Sequence, residues 1–438
     1  MSDMLFEHLL PASLPALINR IDAPVRGYYT RETPPEAVRR ARVAIVDVHW
    51  HLTLPGAAKL ARELKALNPD IKMIAGGLTA SLFARQLVDE LGFDYVVRGD
   101  GEIPLSQLVA TLLDGGDVTA VPNLVGRDDM ATPWTYFLTA EDLDADEFYD
   151  LDFFPSAKRD IARIHARYAG WASPCFPWLI PFRGCPLPCN GCTGSTLLQP
   201  NTFRRSFVVR SPERLVDDLQ RLERDPHIAF VNSLLDFVTL TSPEYAQTVL
   251  QRPVRLGLFQ EFSRPPKPEW LDLLLARFDG GVVKICADYE HLTGDRFAEP
   301  ALLVDLIRRV QRKKNYIAVL NYNRIHACAN ADYRAAVAAV HKQTRCLLID
   351  ESHWWSDAPQ ADENGDGNRQ QFPVLLTTRR NRFATLKVAF RLMTLADTVL
   401  PQAARLLLRK IYYRLVQTPL FYLSCRNKTL PKRSDADI

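Results

Sequence analysis

Three cysteines fall within eight residues, in the segment Arg183-Gly184-Cys185-Pro186-Leu187-Pro188-Cys189-Asn190-Gly191-Cys192. Eight cysteines scattered over 438 residues would give the spacing C-x3-C-x2-C by chance on the order of 0.003 times, so the spacing asks for a ligand. Thiolates are the usual ligands of iron–sulfur clusters, and four irons normally want four ligands. Cys185, Cys189 and Cys192 are therefore the candidate metal ligands, suited to a [4Fe–4S] cluster with one iron left open. Two alternatives stay open. One is a structural zinc site, for which Cys175 would have to complete the set, and the other is a fully ligated electron-transfer cluster. Cys286, Cys328, Cys346 and Cys425 stand singly, as Cys175 does, and read as small buried hydrophobes.

Such a loop needs a strand to anchor it. Trp178–Phe182 is an apolar strand candidate that runs directly into the cysteines. Further candidates follow at Ile228–Val231, Arg255–Phe259, Val282–Cys286, Tyr316–Leu320 and Cys346–Ile349. Helical patterns separate most of them, at Pro212–Arg224, Pro268–Arg277, Ala301–Lys313 and Asp332–Gln343. Strands alternating with helices imply a parallel α/β sheet or barrel, with its chemistry at the C-terminal strand ends. An earlier and shorter β/α series runs from Val43. It has strands at Val43–Val48, Ile71–Ala75 and Tyr95–Arg98, and helices at Gly56–Leu67, Ser81–Leu91 and Leu105–Leu113. The chain thus divides into an α/β unit at 1–116, an aromatic and acidic connector at 117–177, a barrel at 178–355 and a basic helical region at 373–438. Residues 356–372 are polar and read as a flexible surface loop.

Arg183-Gly184-Cys185-Pro186, with Thr193-Gly194-Ser195 after the last cysteine, resembles the radical S-adenosylmethionine (SAM) superfamily, in its cobalamin-binding-domain class. The Ser-Pro-Glu at Ser211–Glu213 matches the start of that barrel's next helix. The resemblance covers roughly residues 43–350. It implies an enzyme with a partial Rossmann-like domain followed by a radical SAM (β/α) barrel. In such an enzyme the open iron binds SAM, and one electron cleaves it to a 5′-deoxyadenosyl radical. The radical then abstracts hydrogen from an unactivated carbon. With cobalamin bound, C-methylation is the expected outcome; without it, a rearrangement, cyclisation or oxidation. A non-catalytic metal-binding partner protein is the contrasting reading. The residue before the last cysteine is often aromatic in the superfamily; here it is Gly191, so adenine packing is expected from elsewhere.

In the first unit, Gly76-Gly77 and Val97-Arg98-Gly99-Asp100-Gly101-Glu102 resemble the later half of a cobalamin-binding domain. Ligands in such sheets lie beyond the carboxyl ends of the strands, where Asp47, His49, Gly76, Gly77 and Arg98 all fall, and glycine admits close approach. The resemblance implies that Gly76, Gly77 and Arg98 bind cofactor. The alternatives are an ordinary strand–helix turn at the glycines and ordinary strand-end histidines at His49 and His51. Too few residues precede Val43 for the two further β/α units of the full domain, so the unit reads as truncated. The Asp-x-His-x-x-Gly motif that supplies a histidine to cobalt is absent, with Leu52 where its glycine belongs.

Polar groups crown the barrel strands: Asn232, Ser233 and Asp236; Gln260, Glu261, Ser263 and Arg264; Asp288, Tyr289 and Glu290; Asn321, Tyr322 and Asn323; and Asp350, Glu351 and His353. Carboxylates suit ribose hydroxyls and ammonium groups, and arginine suits a carboxylate. In radical SAM enzymes these positions resemble those that hold SAM and the substrate, and the resemblance makes Gln260, Glu261, Arg264 and Asp288 the candidate SAM-binding residues. No side chain is singled out as catalytic, because the cofactor carries the hard chemistry.

The remaining expectations concern partners. Net charge is only +3, and no nucleic-acid module is recognisable, so nucleic-acid binding is not expected. A small-molecule or lipid-like substrate and an electron donor such as flavodoxin or ferredoxin are. No signal peptide or membrane span is visible, which makes the cytoplasm the expected compartment. Residues 379–433 hold thirteen Lys/Arg against Asp397. Such a stretch suits a helix packed on the barrel with a solvated basic face, or contact with an anionic membrane surface.

Overall fold

The computed structural model describes residues 13–28, 33–49, 51–150, 152–154, 177–187, 207–233, 236–287, 297–350 and 372–373. Cys189, Cys192, Asp288, Tyr289, Glu290, Glu351, His353 and the basic stretch 379–433 lie outside these residues.

The first unit contains α1 (Ser13–Ile18), α2 (Pro35–Arg40), β1 (Val43–Asp47), α3 (Leu54–Leu67), β2 (Lys72–Gly76), α4 (Leu78–Leu82), α5 (Ala84–Asp89), β3 (Tyr95–Val97), α6 (Glu102–Asp114) and β4 (Leu124–Gly126). The sheet order is β1-β2-β3-β4, with β4 antiparallel to β3 and the other pairs parallel. Helix α3 buries Leu54, Ala57, Ala58, Ala61 and Leu64, an i, i+3, i+4, i+7 stripe that packs one face of the sheet. Helices α1 and α6 cover the other face around Leu105, Leu108 and Val109.

Strand β1 is half-buried rather than buried, because it stands at the sheet edge. Two expectations need amending here. The connector contributes β4 to this sheet, an antiparallel return that hydrophobic periodicity over three residues does not reveal. In addition, Phe372, at the end of the expected polar loop, is fully buried in the first unit's core. Its ring centroid lies 5.3 Å from that of Phe83, because a buried aromatic slot outweighs the polar character of the run leading to it.

The second unit follows α7 (Ala140–Ala145). A two-stranded antiparallel ladder, β5 (Phe182–Arg183) with β6 (Val208–Val209), flanks the cysteine loop. Then come α8 (Pro212–Arg224), β7 (Phe230–Ser233), α9 (Pro243–Val249), β8 (Val254–Phe262), α10 (Pro268–Arg277), β9 (Phe278–Cys286), α11 (Pro300–Gln311), β10 (Tyr316–Tyr322), α12 (Arg324–Ala329), α13 (Ala331–Thr344) and β11 (Leu347–Asp350). Strands β7 to β11 form a parallel sheet in sequential order. Trp178 extends it through a parallel bridge to Asn232, and the Leu179 N–H donates to Asn232 O at 2.8 Å. Six strand positions thus make a partial barrel. Helices α8, α9, α10 and α11 each begin on proline, whose fixed φ suits the first turn.

Alternation along the strands sorts the barrel's two faces. Leu258, Phe262, Val283, Ile285, Leu320, Tyr322 and Leu348 join the large cluster shared with the helices. Phe259, Glu261, Val282, Lys284, Cys286, Val319 and Asn321 occupy the alternate positions and face inward.

Candidate functional site

On the first unit, β1, β2 and β3 end together at Asp47, Gly76 and Val97. Gly77 has φ +106°, and a Cβ there would lie 2.8 Å from Asp47 Oδ1 and 2.9 Å from the His49 backbone. Its chemistry is therefore close approach of the chain to itself: the Thr79 N–H and Oγ1–H donate to His49 O at 3.2 and 3.0 Å, and the Ala80 N–H donates to Val48 O at 3.1 Å. Gly76 differs. Among the described residues, a Cβ there would meet only Val97 O, at 4.0 Å, so nothing in them crowds this position. Gly77→Ala is expected to cost about 2 kcal/mol or more, from positive φ and the backbone clash, read as a shift of the denaturation midpoint.

Arg98 is placed differently from its neighbours. Its guanidinium lies 5.0 Å from the centre of the Trp134 ring, and its backbone N–H donates to Asn123 O. It packs the β3–β4 side of the sheet.

Asp47 is exposed, yet the protein crowded around it pushes its carboxyl up to about 7. Burial, and then the positive charge of Arg183, push the His49 imidazole down to about 4, so it is neutral at physiological pH. A carboxyl whose folded pKa is raised contributes stability at low pH and loses it as pH rises, here between about 4 and 7. Asp47→Asn is expected to remove that slope. Thermal midpoints at pH 5 and pH 8 should move closer together by a few degrees at most, because solvent reaches the carboxyl.

On the barrel side, Arg183 ends β5, Gly184 turns the chain at φ +89°, and Cys185 follows half-buried. Burial raises the Cys185 thiol, while the Leu187 backbone N–H and the charge of Arg264 act to lower it. The structure thus brings Arg264, from the loop after β8, within electrostatic reach of the first cysteine.

The inner barrel face is polar at its upper end. Lys284 Nζ pairs with Glu261 Oε2 at 2.7 Å and lies 5.6 Å from the Phe259 ring centre. The Asn321 amide donates to Glu261 Oε1 at 3.4 Å and contacts Cys286 Sγ at 3.5 Å. Asn321 is 1% exposed, and its Oδ1 has no hydrogen-bond partner among the described residues. A buried acceptor left open at a strand end suits an incoming donor.

Gln260 stands on the opposite face, with Leu258 and Phe262. Its amide donates to Asp236 Oδ1 at 3.3 Å. Asp236 also accepts from Val238 N, Thr239 N, Thr239 Oγ1 and Ser263 N, and burial pushes its carboxyl up to about 6. Gln260 and Asp236 therefore tie the loops after β7 and β8 together, and Glu261 is the neighbour that faces the barrel.

Sequence reasoning missed Lys284. Its one signal is a lone lysine inside the apolar run Val282-Val283-Lys284-Ile285. It also left unread the junction of the two motifs: Arg183 Nη2 lies 3.0 Å from Glu102 Oε1, and Nη1 lies 3.8 Å from Asp100 Oδ1.

The family model described as the B12 binding domain matches residues 27–109. With the β/α barrel behind it, the chain shares its fold with a solved radical SAM methyltransferase. The radical SAM methyltransferase TsrM of Kitasatospora setae, in its structure with cobalamin and a [4Fe–4S] cluster bound, superposes with a TM-score of 0.55 at 16% identity. The match covers 75% of this chain and 68% of that one. Among curated proteins, the hopanoid C-3 methylase of Methylococcus capsulatus is 27% identical over 226 residues, 51% of this chain and 40% of that protein. The anaerobic magnesium-protoporphyrin IX monomethyl ester cyclase of Rubrivivax gelatinosus is 28% identical over 193 residues, 40% of this chain and 31% of that protein. The chain thus spans two fifths or less of the length of these curated relatives.

Proposed function

We propose that this chain is a radical SAM enzyme that uses a [4Fe–4S] cluster and bound cobalamin to methylate an unactivated carbon of a small-molecule or lipid-like substrate. The observation that carries the reading is the placement of Cys185. It opens the barrel within reach of Arg264, beside a first unit that matches the B12 binding domain.

The residues present fit the groups this chemistry needs. Three thiolates, from Cys185, Cys189 and Cys192, would hold the cluster and leave a position for SAM. Arg264 neutralises charge beside Cys185. Glu261, Lys284 and Asn321 offer the inner barrel a carboxylate, an ammonium and an open acceptor. Gly76, which no described side chain crowds at the sheet edge, would lie against cobalamin. When bound, the cluster supplies the electron that breaks a C–S bond of SAM, and cobalamin supplies a methyl carrier. The protein's own part is to orient these groups and keep water out. Likeness to the hopanoid methylase favours a lipid-like substrate, and likeness to the cyclase favours a reading in which ring closure replaces methylation. A flavodoxin or ferredoxin serves as electron donor. No helix among the described residues is long and apolar enough to cross a membrane.

Anaerobic reconstitution with iron, sulfide and hydroxocobalamin tests the proposal. The expected result is an iron–sulfur absorbance, a cobalamin spectrum that stays with the protein through desalting, and SAM cleavage to 5′-deoxyadenosine on reduction. Reconstituted, reduced chain that leaves SAM intact would sink the enzyme reading. SAM cleavage without retained cobalamin would replace methylation with the cyclase-like alternative.

A further inference from the structure

Arg183 lies two residues before the first cysteine, but its charge is anchored in the other unit. Glu102 opens α6 and is wholly buried, and Asp100 in the preceding turn is nearly so. Among the described residues, neither oxygen of Glu102 has a hydrogen-bond partner, and the cation set against it is Arg183, at 3.0 Å. Asp100 is fixed in turn, accepting from the Leu138 N–H at 3.0 Å. Asp146, close enough to feel both Glu102 and Arg183, is held by Arg20 at 2.6 Å. Behind Arg183 the backbone is equally fixed: β5 pairs with β6, and the Arg210 N–H donates to Pro181 O at 2.9 Å. A buried carboxylate with one close cation cannot lose it cheaply. The start of the cysteine loop, at Arg183, is therefore held at the C-terminal edge of the first sheet, the edge that carries Gly76 and His49.

We propose that Arg183, clamped by Glu102 and Asp100, is a positioning residue that holds the cysteine loop in register with the B12-binding unit's sheet edge, so that the state of one site is felt at the other. The proposal uses the cofactor assignments above, but the contact exists in the chain itself.

Two measurements on the full chain test it. In the chain without cofactors, backbone hydrogen exchange is followed across residues 177–187 for wild type, Glu102→Gln, Arg183→Lys and the double variant. Glu102→Gln, a substitution in the other unit, is expected to speed exchange of the loop by about tenfold, a typical coupling between sites. The double variant should be no faster than the worse single one. Where Glu102→Gln does not fold, Arg183→Lys, which keeps the charge and loses the fork, gives the same reading. In the reconstituted chain, the electron paramagnetic resonance line of the reduced cluster, with and without SAM, should change in Glu102→Gln at unchanged iron content, and Glu102→Asp should restore it.

Unchanged loop exchange in a folded Glu102→Gln chain overturns the clamp and leaves the proposed function standing. Failure of the wild-type chain to cleave SAM counts against that function and leaves the exchange result intact.

Discussion

Replacing Cys185 with alanine is expected to strip iron from the reconstituted chain and abolish SAM cleavage. Cys185 is one of three candidate thiolates, and two cannot hold a four-iron cluster with one iron still open. Loss of a supporting contact around a metal typically costs 10–100-fold, so loss of a ligand should exceed about 100-fold. Iron content, the visible absorbance and 5′-deoxyadenosine yield read the effect directly. Cys189→Ala and Cys192→Ala should behave alike. Cys346→Ala is the contrasting variant. Cys346 is buried, with its thiol pushed up to about 11, and its replacement should leave iron content unchanged. Equal iron loss from Cys346→Ala, or full iron retention in Cys185→Ala, would break the assignment of the cluster to the 185–192 loop.

The largest effect on stability is expected at Asp218→Ala. Arg210 and Asp218 are both fully buried and form an ion pair between the strand-end segment and α8. Arg210 also donates to Asp146 O at 2.9 Å and stacks 4.7 Å from the centre of the Phe148 ring, so it ties α8 to the connector. Removing Asp218 strands the guanidinium without its counter-ion, at a cost of about 3–5 kcal/mol. Replacing both partners with apolar residues of similar size, Arg210→Met with Asp218→Leu, should recover much of that loss. The pH dependence carries the same logic. Burial is the largest influence on Asp218 and raises its carboxyl to about 6 despite Arg210. Its contribution is therefore present at low pH and lost as pH rises from about 4 to 6. The apolar double variant should lack that slope and compare best with wild type above pH 6. Urea denaturation at pH 5 and pH 7.5 measures both effects. A single Asp218→Ala variant as stable as wild type would show that the pair is not the tie described.

Much of this was legible in the chain. Helices α8 and α10 run over Pro212–Arg224 and Pro268–Arg277, as their apolar periodicity and leading prolines require. Ser211 caps the first, accepting from the Arg214 N–H at 3.4 Å. These signals are local: a cap, a fixed φ and a 3.6-residue stripe act within a few residues of one another. The cysteine spacing is local as well, and so is the Gly76-Gly77 turn after a strand.

Other features depend on which segments meet. The connector's return as β4, and Phe372 filling a slot beside Phe83, are long-range pairings that no window of sequence contains. Strand ends at 260 and 261 look equally polar in sequence. A pleated strand sends neighbours to opposite faces, so Gln260 braces the loops while Glu261 meets Lys284 inside the barrel. The cysteines of the opening motif follow the same division. The sequence by itself determined that three thiolates stand at cluster spacing after a strand, because ligand type and spacing are written in consecutive residues. Only the tertiary structure decided what surrounds the first of them, with Arg264 from the loop after β8 within electrostatic reach and Arg183 tied to Glu102. Electrostatic neighbours are set by distance in space, and these come from segments far apart along the chain.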